Sequence, residues 1–214
     1  MIAKKTGNTR DLAFTCYVLT AFFAVISVLV AYYMILLWGQ GNFREVVPQK
    51  VYRSGQCSAS KLRNMIERHH IRTVINLRGY HGGEVREAEQ KLVDELGVKY
   101  VELNLKANAP LPPELLAELI DSIEAAQTPL LVHCRHGIDR AGTASALAAM
   151  ALGNMDFDKA RWQAYVPVGP WKRQRKGNYA HVSDVLAHYE QFCLRNGQPT
   201  GGWSQFKDWV EKLE

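Results

Sequence analysis

The stretch from His133 to Thr143, HCRHGIDRAGT, constrains this chain more than any other. Just upstream, Pro129-Leu-Leu-Val132 is a short apolar run that reads as a buried strand. Just downstream, the alanine-rich run from Ala141 to Leu152 reads as a helix ended by Gly153. The spacing therefore predicts Cys134 at a strand end and Arg140 at a helix start. Backbone N–H groups of such a loop point inward, and the helix dipole adds partial positive charge. The expectation is an anion cradle with a thiol at its base.

The residue types then suggest a chemistry. A thiolate is a strong nucleophile, whereas a free thiol is mostly protonated at neutral pH. Inward N–H groups, a helix N-terminus and Arg140 all favour the thiolate. Arg140 can also grip two phosphate oxygens in a bidentate fork, which lysine cannot do. Cys134 would attack phosphorus to give a phosphocysteine, and water would release phosphate. Loop and arginine neutralise the phosphoryl charge, so this chemistry requires no metal or other cofactor. The competing reading makes Cys134 a buried structural cysteine and Arg140 an ordinary helix-start residue. The company of His133, Gly137 and Gly142 between a strand and a helix favours the chemical one.

HCRHGIDR resembles the signature loop of the cysteine-dependent protein tyrosine and dual-specificity phosphatases. The resemblance extends back through Val51 to Gly79, VYRSGQCSASKLRNMIERHHIRTVINLRG. There it is similar to the N-terminal half of bacterial and fungal phosphatases of the atypical dual-specificity group. The similarity runs from roughly Val46 to Tyr165. It implies an α/β domain with a central, mainly parallel sheet and helices on both sides. It also implies Cys134 as nucleophile, Arg140 as phosphate ligand and His133 as a residue that tunes the thiol. His133, Arg135, His136, Gly137 and Ile138 would contact substrate, with Arg78 at the rim.

Two positions depart from that pattern. The family usually places Ser or Thr directly after the arginine, where the hydroxyl assists the leaving thiolate; here Ala141 stands there, with Thr143 two residues on. Family members also place a general-acid Asp on a loop before the signature strand, but Asn104 to Pro113 contains neither Asp nor Glu. A leaving alkoxide still needs a proton. Asp139, inside the loop, is the best candidate, since some lipid- and inositol-directed relatives carry an Asp there. The alternative is that Asp139 braces the loop or pairs with Arg135. Glu84 is a weaker candidate for the acid.

Leu12 to Phe43 contains no Asp, Glu, Lys or Arg. Its apolar part, Leu12 to Trp38, exceeds the ~20 residues a helix needs to span a bilayer. Tyr32, Tyr33 and Trp38 lie near its far end, where aromatics favour the interface. The run is long for a cleaved signal peptide and lacks the polar face of a core helix. It reads as an uncleaved single-pass anchor to the plasma (inner) membrane. Lys4, Lys5 and Arg10 precede it, and Arg44, Lys50 and Arg53 follow. The positive-inside rule weakly favours a cytoplasmic N-terminus and an extracytoplasmic, periplasmic catalytic domain. The near-balanced flanks also allow the reverse.

The expected organisation is a tail over 1–11, an anchor over 12–38, a linker over 39–48 and a catalytic domain over 49–214. A helical extension begins at about 178. Strands are predicted at Val51–Arg53, Ile71–Leu77 and Val98–Leu105, with a turn at Ser54-Gly55-Gln56. Helices are predicted from Ser58 or Ser60 to His69, Glu84 to Leu96, Pro113 to Gln127 and Val182 to Cys193. Trp203, Phe206, Trp209 and Val210 form one face of a last amphipathic segment that would pack on the domain, lie on the bilayer or join an oligomer. His69, His70, His181 and His188 lack metal-site spacing. Of the four cysteines, Cys57 and Cys193 are either free or paired.

Net charge is +5 and the isoelectric point about 9.0. No nucleic-acid motif accompanies that charge. The basic run Lys172-Arg-Gln-Arg-Lys176 reads as a solvated loop, or as a contact for anionic head groups beside a bilayer. Three functions fit. The leading one is a membrane-anchored phosphatase acting on a lipid phosphate or another membrane-associated phosphate monoester. The second is a protein tyrosine or dual-specificity phosphatase acting on envelope proteins. The third is a weakly active, membrane-tethered phosphate-binding module.

Overall fold

Short runs of valine, isoleucine and leucine supply the strands that carry everything else. The structure is a computed structural model, and it describes residues 9–34, 41–80, 83–164 and 182–213. The chain divides into two units, Met1–Gln40 and Gly41–Glu214.

The first unit holds helix α1, Thr9–Met34. Every side chain from Ala13 to Tyr33 is exposed, although nearly all are apolar. The hydroxyls of Thr20 and Ser27 donate to the carbonyls of Cys16 and Phe23, one turn back, at 2.8 and 2.9 Å. The Thr20 and Ser27 hydroxyls are thus satisfied within the helix, as a bilayer would demand. The apolar span Ala13–Tyr33, 21 residues, is long enough to cross a membrane.

The second unit is built on a five-stranded sheet with order β1-β2-β5-β3-β4. The strands are β1 Arg44–Val47, β2 Val51–Gly55, β3 Thr73–Asn76, β4 Lys99–Glu102 and β5 Leu130–Cys134. Only β1 runs antiparallel to its neighbour. Side chains alternate across the sheet. Tyr52, Val74 and Leu131 meet α2 (Ala59–His69) and α3 (Glu84–Glu95) on one face. Val51, Ile75, Leu130 and Val132 lie in the cluster built on α4 (Pro113–Glu124) and α5 (Asp139–Gly153) on the other. Burial on both faces is the reason the central strands read as continuous apolar runs.

Helix α5 is buried all round, with every residue from Ala141 to Met150 inaccessible. Its alanines and Gly142 let neighbours come close. A Cβ on Gly142 would stand 2.8 Å from the Gln163 carbonyl, and one on Gly153 would stand 2.7 Å from Val47. A short helix α6, Phe157–Ala160, and a 3-10 turn, Arg161–Ala164, follow it. Helices α7, Asp184–Arg195, and α8, Trp203–Val210, complete the layer. Phe206 and Trp209 of α8 pack against Tyr189, while Trp203 Nε1 donates to Glu124 at 2.7 Å. The last amphipathic segment therefore packs on the catalytic domain.

Three sequence expectations change. The expected linker over 39–48 contains strand β1, whose Val46 and Val47 are buried. Its polar lead-in, Gly41-Asn42, disguises it: both residues take left-handed φ, +63° and +52°, and turn the chain into the sheet edge. The expected turn at Ser54-Gly55 is the end of β2, because the chain stays paired there as far as Cys134. Strands β3 and β4 are shorter than Ile71–Leu77 and Val98–Leu105, since their flanks hydrogen-bond outside the ladder. Trp38 and the run Lys172–Lys176 lie outside the described residues.

Candidate active site

Strand β5 is the middle of the sheet and ends on Cys134. In a parallel sheet the crevice beyond the carboxyl ends of the strands is where ligands bind. Residues 135–138 turn the chain there into α5, which begins at Asp139. The predicted order of strand, loop and helix is thus present, with the helix starting two residues earlier than expected. Cys134 is 2% exposed, whereas Arg135 and His136 on the loop are open to solvent.

The loop is pressed onto the end of β2. Gly137 has φ +67°, and a Cβ there would lie 2.5 Å from Gly55 N and 2.6 Å from Ser54 C. No other residue fits. Outward-facing carbonyls hold the loop: the Gln56 N–H donates to the Arg135 carbonyl at 3.2 Å, and Leu77 N–H to the His133 carbonyl at 2.9 Å. Among the described residues the backbone N–H groups of Arg135, His136, Gly137 and Ile138 have no protein partner. A trans peptide sends its C=O and N–H in opposite directions. Carbonyls bound outward therefore leave N–H groups facing inward, which is the arrangement that binds an oxyanion.

Arg140 sits on the first turn of α5. Its Nη1 donates to the Leu77 and Leu105 carbonyls at 3.3 and 3.1 Å, beyond the ends of β3 and β4. Its Nε is buried and has no partner among the described residues. The guanidinium is therefore fixed from behind, with donor capacity left for a ligand. Asp139 is half-buried beside it. The Thr143 hydroxyl donates to the Asp139 carbonyl at 3.1 Å, so it is committed within the helix, and Ala141 is fully buried.

A second layer was not foreseen. His133 Nε2 lies 2.5 Å from Glu89 Oε1, and both side chains are 3% exposed. In the sequence Glu89 is one of several charges on the predicted helix Glu84 to Leu96. Yet Glu89 also accepts from Gln56 Nε2 at 2.5 Å and from Tyr100 Oη at 3.1 Å. Burial alone would raise its pKa; bonds and charge from His133, with those of Gln56 and Tyr100, hold it below the ordinary carboxylate value. Burial and the Glu89 charge push the Tyr100 hydroxyl up. Arg78 reaches this network by donating from Nη1 to Gln56 Oε1 at 3.0 Å. Arg78 is thus tied to the loop's rim through Gln56.

Arg53 was also missed. It is fully buried on β2 and pairs in register with Val132, so it shares a face with Cys134, two residues on. Its Nη1 donates to the Gln163 carbonyl at 2.5 Å. Burial lowers its pKa to about 10, as does the charge of Arg44, while Cys134 acts in the opposite sense. It remains a cation at neutral pH, behind the thiol. Glu84 is exposed at the start of α3. All four cysteines are free; Cys193 is buried, and burial together with the Glu89 charge pushes the Cys57 thiol up to about 11.

Comparison with known proteins finds structures with a similar fold. The core catalytic domain of the PP-IP phosphatase SIW14 from S. cerevisiae, crystallised with citrate, shares the fold at 20% identity. The match covers 76% of this chain and 96% of that one, with a TM-score of 0.50. TpbA of P. aeruginosa matches at 20% identity over 52% of this chain and 65% of its own, with a TM-score of 0.40. Tk-PTP in its active form matches at 17% identity over 68% and 93%, with a TM-score of 0.48. A search of curated proteins finds no match. The family model of the PTP-SAK group, described as "Swiss Army Knife protein, DSP-PTPase phosphatase domain", matches residues 40–180. The chain belongs to that family and is a cysteine-dependent phosphatase of the protein tyrosine and dual-specificity type.

Proposed function

We propose that this chain is a membrane-anchored phosphatase that hydrolyses a phosphate monoester on a lipid or another membrane-associated molecule. Cys134 Sγ attacks phosphorus, and the bond from phosphorus to the leaving oxygen breaks. The N–H groups of the loop, the α5 N-terminus and Arg140 take the charge of the transferring group. Asp139 gives the leaving oxygen its proton. Water then attacks the phosphocysteine, the S–P bond breaks, and inorganic phosphate leaves with the thiolate restored. His133, Arg135, His136, Gly137 and Ile138 frame the substrate phosphate, and Arg78 holds the rim.

Helix α1 is the observation that carries the membrane part: it exposes apolar side chains on all sides from Ala13 to Tyr33. A helix of that kind in water would leave Phe14, Tyr17, Phe22 and Phe23 unburied. A tether confines the site to substrates in or near the bilayer, where exposed Arg135 and His136 attract anionic head groups. The charge flanks of α1 favour a cytoplasmic N-terminus and an extracytoplasmic site.

The experiment is phosphate release by detergent-purified full-length protein, with Cys134→Ser as control. Substrates are an aryl phosphate, phosphotyrosine peptides and lipid phosphates in mixed micelles. Release fastest on a lipid phosphate supports the proposal. Release from peptides alone transfers the site to phosphoproteins. Ala141 and the committed Thr143 hydroxyl favour one further reading, a protein that phosphorylates its own cysteine quickly and turns over slowly. A burst of leaving group followed by slow phosphate release identifies it.

A further inference from the structure

Asn42 is buried, 3% exposed, at the entry to β1 and far from any chemistry in the sequence. Its Nδ2 donates to the His136 carbonyl at 3.1 Å and to the Gly137 carbonyl at 2.9 Å, 94 and 95 residues away. Its Oδ1 accepts from Arg44 Nε at 3.2 Å. That third bond fixes which end of the amide faces the loop: the oxygen is taken by a guanidinium, so the NH2 group meets the carbonyls. The left-handed backbone at Asn42, φ +52°, is one that asparagine tolerates better than most residues. Next to it, the Gly41 carbonyl accepts from Gly55 N–H and closes β2 against the same loop.

The consequence follows from peptide geometry. The carbonyls of Arg135, His136 and Gly137 are bound outward by Gln56 N–H and by Asn42. The N–H groups of His136, Gly137 and Ile138 belong to those same three peptides and therefore face the other way, into the loop. Two of the three depend on one side chain. Without it, the buried Gly137 carbonyl and the part-buried His136 carbonyl would lack a protein donor, and either peptide could turn to find one. A turned peptide would present a carbonyl, not an N–H, to the phosphate.

We infer that Asn42 is a positioning residue for the phosphatase reaction, one that holds the catalytic loop in its anion-binding form by fixing the His136 and Gly137 peptides. It touches no reacting atom. The inference rests on the phosphocysteine chemistry and stands independently of whether the substrate is a lipid. It also gives the segment following the apolar helix a role in the site.

The test uses full-length protein in detergent and compares Asn42→Gly with wild type. Glycine keeps the left-handed backbone and removes the side chain, so the Nδ2 donor and the Oδ1 acceptor for Arg44 are lost together. Three readouts are taken: kcat/KM on an aryl phosphate, inhibition by orthovanadate and the rate of Cys134 alkylation at pH 6.5. The expected result is a loss in kcat/KM of about 10- to 100-fold, the range for leaving one or two buried acceptors unpaired. Vanadate inhibition weakens and alkylation slows in parallel, because all three read the same inward N–H groups. Wild-type vanadate inhibition and alkylation in folded Asn42→Gly overturn the inference, even if stability falls. If that variant does not fold, Arg44→Leu decides. It leaves Asn42 in place but frees its amide to rotate, and a parallel loss of about threefold in vanadate affinity is expected from one weakened hydrogen bond. No change in vanadate affinity in Arg44→Leu overturns the inference. Wild-type protein that lacks Cys134-dependent turnover would overturn the phosphocysteine reading instead.

Discussion

The two flanks of the catalytic loop are built differently. On the helix side, Arg140, Ala141 and Thr143 sit on a regular turn whose own bonds are short-range, Gly142 N–H to the Ile138 carbonyl and Thr143 Oγ1 to the Asp139 carbonyl, and only the Arg140 guanidinium reaches out, to the Leu77 and Leu105 carbonyls. On the sheet side, His133 to Gly137 are held by Leu77, Gln56, Glu89 and Asn42, each from a different part of the chain. The helix side carries the charge-handling groups, and the sheet side fixes the direction of the peptides. Groups that do chemistry are thus close in sequence, while those that keep it aimed are scattered. A helix supplies its own geometry, whereas an irregular loop must borrow it from outside.

Substitutions can break that contrast. Cys134→Ser removes the nucleophile, and turnover is expected to drop by about four orders of magnitude or more without loss of fold. Retained turnover on an aryl phosphate would show that the thiol is not the nucleophile. On the helix side, Arg140→Lys keeps the charge but loses the fork, and kcat/KM is expected to fall about 100- to 1,000-fold. A loss confined to KM would assign the guanidinium to ground-state binding alone.

On the sheet side, Glu89→Gln keeps the shape and removes the charge facing His133. About a tenfold loss of kcat is expected, with a changed pH dependence of stability. The folded pKa of Glu89 lies below its unfolded value. Its contribution is therefore full above the ordinary carboxylate pKa and lost as pH falls through the lower, folded one. Thermal melts from pH 7 down to pH 3 are expected to fall more steeply below pH 4.5 for wild type than for Glu89→Gln. Parallel curves would show that the pair carries no such linkage. The smallest effect is expected at Ala141→Ser, roughly a three- to tenfold faster phosphate release if breakdown of the phosphocysteine limits turnover. Stopped-flow separation of burst and steady state reads it directly.

The helix side was legible in the sequence because its signals are local. HCRHGIDR, a preceding apolar run and a following alanine-rich helix together located Cys134 and Arg140 correctly at a strand end and a helix start. The central strands were legible for the same reason, through the short apolar runs that became β3 and β5. The sheet side was not. Glu89 looks like any other charge on helix α3, and only the packing of α3 over the sheet turns it toward His133. Asn42 reads as linker, and its role depends on contacts 94 and 95 residues away. Arg53 carries no periodic signal that separates a buried cation from a surface one, although its place between Tyr52 and Ser54 in an otherwise buried strand would have been a hint.

Helix α1 extends the same lesson. It and α5 are both apolar all round, but α5 is small-residue and buried while α1 is large-residue and exposed. Protein packing satisfies the one, and the proposed bilayer satisfies the other.

The most direct measurement is a rapid-mix experiment with full-length protein and an aryl phosphate, quenched in acid and mapped by mass spectrometry. The expected result is a phosphate adduct on the peptide carrying Cys134, formed at least as fast as phosphate is released and absent from Cys134→Ser. Phosphate release that proceeds with no adduct on Cys134, and persists in Cys134→Ser, would contradict phosphocysteine chemistry at this loop.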